Sequence, residues 1–332
     1  MKLLPLGKSG PPVSRVGLGC MGMSGAYGPA DEAESLATLD AAIEAGITLI
    51  DSGDFYGMGH NELLLRQAIR GRRDKLFIAI KFGAMRGPDG AWLGYDARPA
   101  AVKTWLAYSL KRLGTDYVDL YQPARVDPKV PIEDTIGGIA EMVKAGYVRH
   151  IGLSEAGVET IRRAHAVHPI SALQIEYSLM TRTIEDEILP TTRALGIAIT
   201  AYGVLSRGLL SGRLQAGQSF NPQDFRAHSP RFQGENLKRN AELVGALSAV
   251  AAKRGATAAQ VAIAWVLRRG DDIIPLIGAR HREQLKESLA ALELELTPAE
   301  LAEIEAAVPA GAVAGTRYAA PQMAMLDSEK RA

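Results

Sequence analysis

Cysteine is almost missing from this sequence. Cys20 is the only one in 332 residues, so no internal disulfide can form, and a reducing cytoplasmic setting fits that usage. Long hydrophobic runs are missing too. No stretch approaches the ~18 apolar residues of a membrane-spanning helix, and the opening MKLLPLGKSG, broken by Pro5, is too short for the apolar core of a secretory signal. An excess of either charge is also lacking. The 38 basic and 37 acidic residues are interspersed and leave a net charge of +1, which argues against a nucleic-acid surface or a basic membrane patch. His165 and His168 stand three apart with no third ligand nearby, so no metal site is expected. Gly17-Leu18-Gly19 lacks the third glycine of a dinucleotide fingerprint, and no Walker loop occurs.

What is present is a regular alternation. Eight short apolar runs read as buried parallel strands: Val16 to Gly19, Thr48 to Ile50, Leu76 to Ile80, Tyr117 to Gln122, Val148 to Leu153, Ala172 to Ile175, Ile197 to Tyr202 and Ile273 to Ile277. Between them, segments with helical period are predicted at Asp31 to Ala45, Asn61 to Arg70, Pro99 to Leu113, Ile132 to Ala145, Val158 to Val167 and Ile184 to Leu195. Later helices are expected at Glu242 to Arg254, Ala258 to Arg269 and Arg282 to Leu289, with a final one opened by Thr297-Pro298-Ala299-Glu300 and running to Ala307. Residues 3 to 15 read as a hairpin ahead of the main fold. Leu205 to Asn240 reads as a long functional loop, and the tail from Pro309 as irregular. The expectation is an α/β chain: one (β/α)8 TIM barrel domain spanning 1–332, with an N-terminal β-hairpin and extra C-terminal helices. A doubly wound sheet is the alternative. No signal for an oligomeric state stands out.

Chemistry gathers where the apolar runs stop. Thr48-Leu49-Ile50 ends at Asp51, followed by a Gly-bracketed turn carrying Asp54 and Tyr56, and Leu76 to Ile80 ends at Lys81. Taken singly these residues could be a cap, a loop aromatic and a surface charge. At consecutive strand ends they share one mouth of the barrel. A lysine beside a phenol is expected to lower its pKa, and Asp51 to hold the lysine charged, which would poise Tyr56 to protonate a carbonyl oxygen.

Later strand ends carry groups suited to a planar amide. Ser154, Glu155 and Gln174 supply hydrogen bonds, and Tyr202 offers a flat face. Leu205-Ser206-Arg207-Gly208 is a flexible loop with a cation. Gly278-Ala279-Arg280-His281-Arg282 runs into a helix N-terminus, a phosphate site by physical reasoning.

The chain resembles the aldo-keto reductases, most closely the bacterial branch related to potassium-channel β-subunits and pyridoxal reductases. The likeness runs over nearly the whole length and is carried by IDSGDFYG, GLSEAG, QIEYSLM, SRGLLSG and PRFQGEN. It implies reversible NADPH-dependent reduction of a small-molecule aldehyde or ketone. Tyr56 would be the general acid, with Lys81 and Asp51 tuning it. Ser154, Glu155 and Gln174 would hold the nicotinamide carboxamide, Tyr202 stack on its ring, and Leu205 and Arg207 meet the diphosphate. Gly278, Arg280, Gln284, Glu287 and Ser288 would form the adenosine and 2′-phosphate site, Arg280 favouring NADP(H). Met21, Tyr27, Phe55, Met85, Trp92 and Tyr318 are candidate pocket walls.

The sequence departs from the family pattern twice. Ser288 stands where asparagine is usual. More importantly, Leu120-Tyr121-Gln122-Pro123-Ala124-Arg125-Val126-Asp127 has Ala124 where the family commonly has the fourth catalytic residue, a histidine. Ala124 fits a slow reductase, an altered substrate or an engineered substitution. It also leaves open a second reading, a cofactor-binding regulatory subunit with little turnover. A barrel isomerase would need another acid or base facing Tyr56, and the sequence offers none.

Overall fold

The structure is a computed structural model that describes residues 1–214 and 217–330. The chain begins with an antiparallel hairpin of β1 (Leu3–Pro5) and β2 (Pro12–Ser14), in which Leu4 pairs with Val13. Eight strands then close into a parallel barrel: β3 (Gly17–Gly19), β4 (Leu49–Gly53), β5 (Phe77–Phe82), then, after the excursion β6 (Ala84–Arg86) and β7 (Trp92–Tyr95), β8 (Val118–Pro123), β9 (Val148–Ser154), β10 (Ile170–Glu176), β11 (Ala198–Tyr202) and β12 (Ile273–Gly278). The last, β12, pairs back with β3 and closes the ring. Parallel pairing leaves both faces of the sheet covered, which is why the strands read as continuous apolar runs.

Helices α1 (Glu32–Glu44), α2 (His60–Ile69), α3 (Pro99–Leu113), α4 (Ile132–Lys144), α5 (Val158–Val167), α6 (Ile188–Leu195), α7 (Gly234–Ala252), α8 (Ala258–Leu267) and α9 (Arg282–Leu289) pack outside the strands. They are followed by α10 (Pro298–Ala307) and the single turn α11 (Ala320–Met323). Local chemistry sets several ends. The Asp31 side chain accepts from the Glu34 amide to start α1, and Thr257 with Gln260 and Thr297 with Glu300 form reciprocal capping boxes on α8 and α10. Gly114 ends α3 at φ 66°, a conformation that a side chain would strain.

Two apolar clusters result. A large one lies between strands and helices. A small one inside the barrel joins Leu6 and Val13 of the N-terminal segment to Leu49, Phe77, Leu120, Ala198, Ile274 and Leu276. The hairpin therefore plugs the N-terminal end of the barrel, where Ser9 bonds Ser171, and the buried pair Asp51–Lys81 lies toward the C-terminal end.

The structure corrects the sequence reading at five places. Strands β4 and β5 continue through Asp51 and Lys81 instead of stopping there, because the two charges neutralise each other inside the barrel. The loop after β5 holds the hairpin of β6 and β7. The helix expected from Ile184 splits into a 3₁₀ turn at Thr183–Glu185 and α6, since Pro190 has no amide hydrogen and fits only a first helical turn. Helix α7 starts at Gly234, inside the expected loop. Its polar opening GENLKRN hides a buried Leu237 and a buried Asn240, whose amide donates to the carbonyls of Arg231 (3.1 Å) and Ala314 (2.9 Å). The tail beyond α10 is not a loose end but packs across the mouth of the barrel.

Candidate active site

β4 and β5 are neighbours, and Asp51 and Lys81 both point inward. Lys81 Nζ lies 2.7 Å from each oxygen of Asp51, and both residues are buried. Gln174 of β10 reaches across the barrel and donates Nε2 to Asp51 Oδ1 at 2.7 Å. A pair this deep is held by its own complementarity. Removing one partner of a buried ion pair costs about 3–5 kcal/mol, because the other charge is left uncompensated.

Tyr56 opens a tight turn after β4. Gly57 and Met58 are both left-handed, at φ 57° and 51°, which folds the phenol back toward the pair. Lys81 Nζ lies 5.0 Å from the centre of the Tyr56 ring. The expected lowering of the phenol pKa is not what the surroundings produce. Burial, then the negative charge of Asp51, raise Tyr56 well above the ordinary tyrosine value, and Arg125 opposes them only in part. The Lys81 charge is spent on Asp51, and burial holds its own pKa down. Tyr56 therefore keeps its proton at neutral pH and can give it up only to a group that develops negative charge nearby. Cys20, also buried here, has its thiol pushed up by burial and is unreactive.

Ala124 follows β8 directly. It is buried, its amide donates to the Phe82 carbonyl at 2.8 Å, and its methyl brings no donor to the mouth. In the same ring of inward residues, the side-chain amide of Gln122 and the hydroxyl of Thr200 are buried without a hydrogen-bond partner among the described residues.

A second charge network flanks this centre, and most of it escaped the sequence reading. Glu155 at the end of β9 accepts from Arg317 (2.8 and 2.6 Å), from the hydroxyls of Tyr202 (2.8 Å) and Ser328 (2.6 Å), and from the Glu176 amide (3.0 Å). Glu176 at the end of β10 meets Arg207 (3.0 Å), Arg231 (3.4 Å) and Arg317 (3.6 Å). Burial alone would raise both carboxyls, but the arginines hold them below the usual range, Arg317 leading for Glu155 and Arg207 for Glu176. Glu176 was within reach of the sequence, since it lies two residues beyond Gln174 on the same face of a strand. Arg317, 162 positions from Glu155, carried no local signal.

The residues expected to meet a cofactor lie around this same C-terminal mouth. Ser154, Glu155, Gln174 and Tyr202 sit on adjacent strands β9, β10 and β11. The Glu155 carboxylate is already engaged, by Arg317 and Ser328 of the tail and by Tyr202 and the Glu176 amide of the barrel. Leu205 leads into a left-handed turn at Ser206 (φ 47°) and Arg207 (φ 56°). Together with Met58 and Glu155 these are the non-glycine residues at positive φ among the described residues, and all four follow the C-terminal ends of barrel strands. Strain of this kind concentrates at functional sites.

After β12, a side chain built on Gly278 would meet nothing within 4 Å. Arg280 donates to the carbonyls of Tyr27 (2.9 Å), Gly28 (3.5 Å) and Pro29 (3.1 Å), and its amide donates to Gln284 Oε1 (3.2 Å). No carboxylate of the described residues forms an ion pair with Arg280. A cation with no ion-pair partner among the described residues, a helix N-terminus and open space at Gly278 fit a phosphate-bearing nucleotide. Arg282 is instead paired with Glu34, Glu287 with Arg213, and Ser288 is buried on the inner side of α9. Among the expected wall residues Tyr27, Phe55 and Met85 are half-buried, Trp92 is exposed at the tip of the second hairpin, and Tyr318 is buried, its hydroxyl 2.7 Å from that of Tyr202.

The profile of the aldo/keto reductase family matches residues 15–309. A probable aldo-keto reductase of Glycine max is 45% identical over 317 residues, covering 94% of this chain and 90% of its own. The glycerol dehydrogenase of Gluconobacter oxydans superposes with a TM-score of 0.83 at 30% identity, over 92% of this chain and 96% of that one. An aldo-keto reductase of Bacillus halodurans, solved in its holo form, gives 0.77 at 29% identity, over 94% and 97%. Barrel, polar mouth and sequence likeness agree, and the chain belongs to the aldo/keto reductase family, oxidoreductases that use nicotinamide cofactors on small-molecule carbonyl compounds.

Proposed function

We propose that this protein reduces an aldehyde or ketone to an alcohol with NADPH, reversibly, with Tyr56 as the proton donor. The observation that carries the reading is the buried Asp51–Lys81 pair set 5.0 Å from the ring of a phenol that keeps its proton. When bound, a nicotinamide cofactor would supply the hydride, from its C4, that the carbonyl carbon takes up. As charge gathers on the carbonyl oxygen, the Tyr56 hydroxyl donates to it. Lys81, fixed by Asp51 and through it by Gln174, lies over the ring, and the Arg125 charge, which opposes the rise at the phenol, favours the phenolate that this leaves. Ser154 and Gln174 are assigned to the carboxamide, Tyr202 to the ring, and Leu205 and Arg207 to the diphosphate. Gly278, Arg280 and Gln284 are assigned to the adenosine end, with Glu287 and Ser288 behind them. Glu155 keeps the ends of β9 and β11 and the tail in register, a role its five donors support.

Ala124 sets the expected rate. One missing donor at a developing oxyanion costs ~10²–10³ in turnover where nothing replaces it. The test is NADPH titration followed by turnover of 4-nitrobenzaldehyde and pyridoxal. The parent should bind NADPH and turn over, Tyr56→Phe should bind and lose about a hundredfold or more in rate, and Ala124→His should change mainly rate. NADPH binding with no reduction by the parent or by Ala124→His would favour the regulatory reading and remove this one.

A further inference from the structure

We infer that Arg125 is an anion subsite beside Tyr56, and that the carbonyl compounds this protein prefers carry a carboxylate. The inference rests on the reductase reading and names its substrate class.

The arginines at this mouth are treated unequally. Arg207, Arg231 and Arg317 each have a glutamate, either Glu155 or Glu176. Arg125 has no carboxylate in ion-pair range among the described residues; the charge of Glu155 reaches it, but that carboxylate is bonded to Arg317. The Arg125 guanidinium is bonded only to neutral oxygens: the Ala124 carbonyl (2.6 Å), the Ser154 hydroxyl (3.4 Å) and the Tyr318 hydroxyl (3.0 Å). It is partly buried, so water compensates it incompletely, and a cation in that setting calls for an anion.

Its location limits which anion. Arg125 leaves the end of β8 beside β5, the strand of Lys81, where the Ala124 amide meets the Phe82 carbonyl at 2.8 Å, and it reaches Ser154 at the end of β9 at 3.4 Å; its charge acts on both Tyr56 and Lys81. It stands far in sequence and on the opposite side of the mouth from Arg280, where the nucleotide phosphates are assigned. Tyr95 and Tyr318, whose interactions with Arg125 are direct or electrostatic, add aromatic wall around it. Its chain neighbour Ala124 ends in a methyl, so no imidazole donor stands next to it.

A substrate with its carbonyl oxygen at Tyr56 can then place a carboxylate on the guanidinium. The carboxylate would displace the Tyr318 hydroxyl as acceptor. That exchange is favourable, because a carboxylate brings a full counter-charge and can accept two parallel bonds from the guanidinium where the hydroxyl accepts one. Binding energy from the remote anion also offsets the donor that Ala124 lacks, by holding the carbonyl in line.

The test compares kcat/KM at saturating NADPH for 4-carboxybenzaldehyde against methyl 4-formylbenzoate, and for succinic semialdehyde against pentanal. Parent, Arg125→Gln and Arg125→Lys are used, with NADPH affinity measured separately. The parent should prefer the acid of each pair. Arg125→Gln should cut the acid-to-neutral ratio about ten- to a hundredfold, mainly through KM, and Arg125→Lys should restore part of it. Equal use of acid and neutral compounds by the parent overturns the inference without any variant. So does an Arg125→Gln loss that is equal for both classes, or one explained by weaker NADPH binding. If the parent binds NADPH but reduces nothing, the reductase reading falls first and this one with it.

Discussion

Asp54 is the residue whose environment is least comfortable. It lies between the catalytic candidates Asp51 and Tyr56, yet it faces away from them, and neither carboxyl oxygen has a hydrogen-bond partner among the described residues. Burial, then the nearby Glu62, push its carboxyl from the ordinary 3.8 up to about 8, while the charge of Arg112 relieves it only in part. Asp54 is therefore protonated in the folded chain and ionised in the unfolded chain between about pH 4 and pH 8, so folding takes up a proton across that window. Stability contributed by this group is fully present below pH 4 and is lost as pH rises toward 8. Asp54→Asn, which cannot ionise, should gain stability relative to the parent over the same interval and level off above it. Urea unfolding of both chains at pH 5, 6.5 and 8 measures the difference, and a gap that stays constant with pH would remove the assignment. At this scale the sequence announced Asp51, Tyr56 and Lys81, because a charge or phenol directly after an apolar run is conspicuous. It could not announce the state of Tyr56. That depends on Asp51 absorbing the lysine's charge and on how deeply the loops bury the ring.

Elements with a strong local pattern were legible, and those held by distant contacts were not. The eight barrel strands and helices such as α3 and α5 follow from apolar runs, period and end signals that lie within a few residues of each other. The first two turns of α7 are polar, and their reason for being helical is Asn240 gripping Ala314, 74 positions away. The tail is the extreme case. TRYAAPQ looks like linker, yet Arg317 is buried with Glu155 and Glu176, and Asp327 accepts from the Gly157 amide at 2.8 Å. Arg317→Met keeps the bulk and deletes the charge, leaving Glu155 and Glu176 short of a partner. About 3–5 kcal/mol of stability should be lost, and amide exchange should rise first in residues 313–330 and at the end of β9. A loss spread evenly over the barrel, with the tail no more exposed than the rest, would mean that the network is not what holds the tail.

The whole molecule is asymmetric by construction. The hairpin and an apolar plug seal one end of the barrel, where His150 and Ser171 are tied to Ser9, so the charged inward groups Asp51, Lys81, Glu155 and Glu176 gather at the other. That end is finished by segments far apart in the chain: the loop of Tyr27, Arg125 after β8, the turn of Arg207, Arg280 before α9, and Tyr318 in the tail. Arg280 links two of them, since it holds the carbonyls of residues 27 to 29 while its charge has no acid partner among the described residues. If that charge is kept for the 2′-phosphate of NADPH, Arg280→Met should weaken NADPH binding about ten- to a hundredfold and leave NADH binding within a few-fold, narrowing the preference between them. Because the same substitution also frees the loop of Tyr27, a structural effect alone would weaken both cofactors alike. Fluorescence titration of parent and variant with each cofactor separates the two. A parallel loss would reassign Arg280 to tying the first loop of the barrel to the last, and would leave cofactor preference to be sought elsewhere at this mouth.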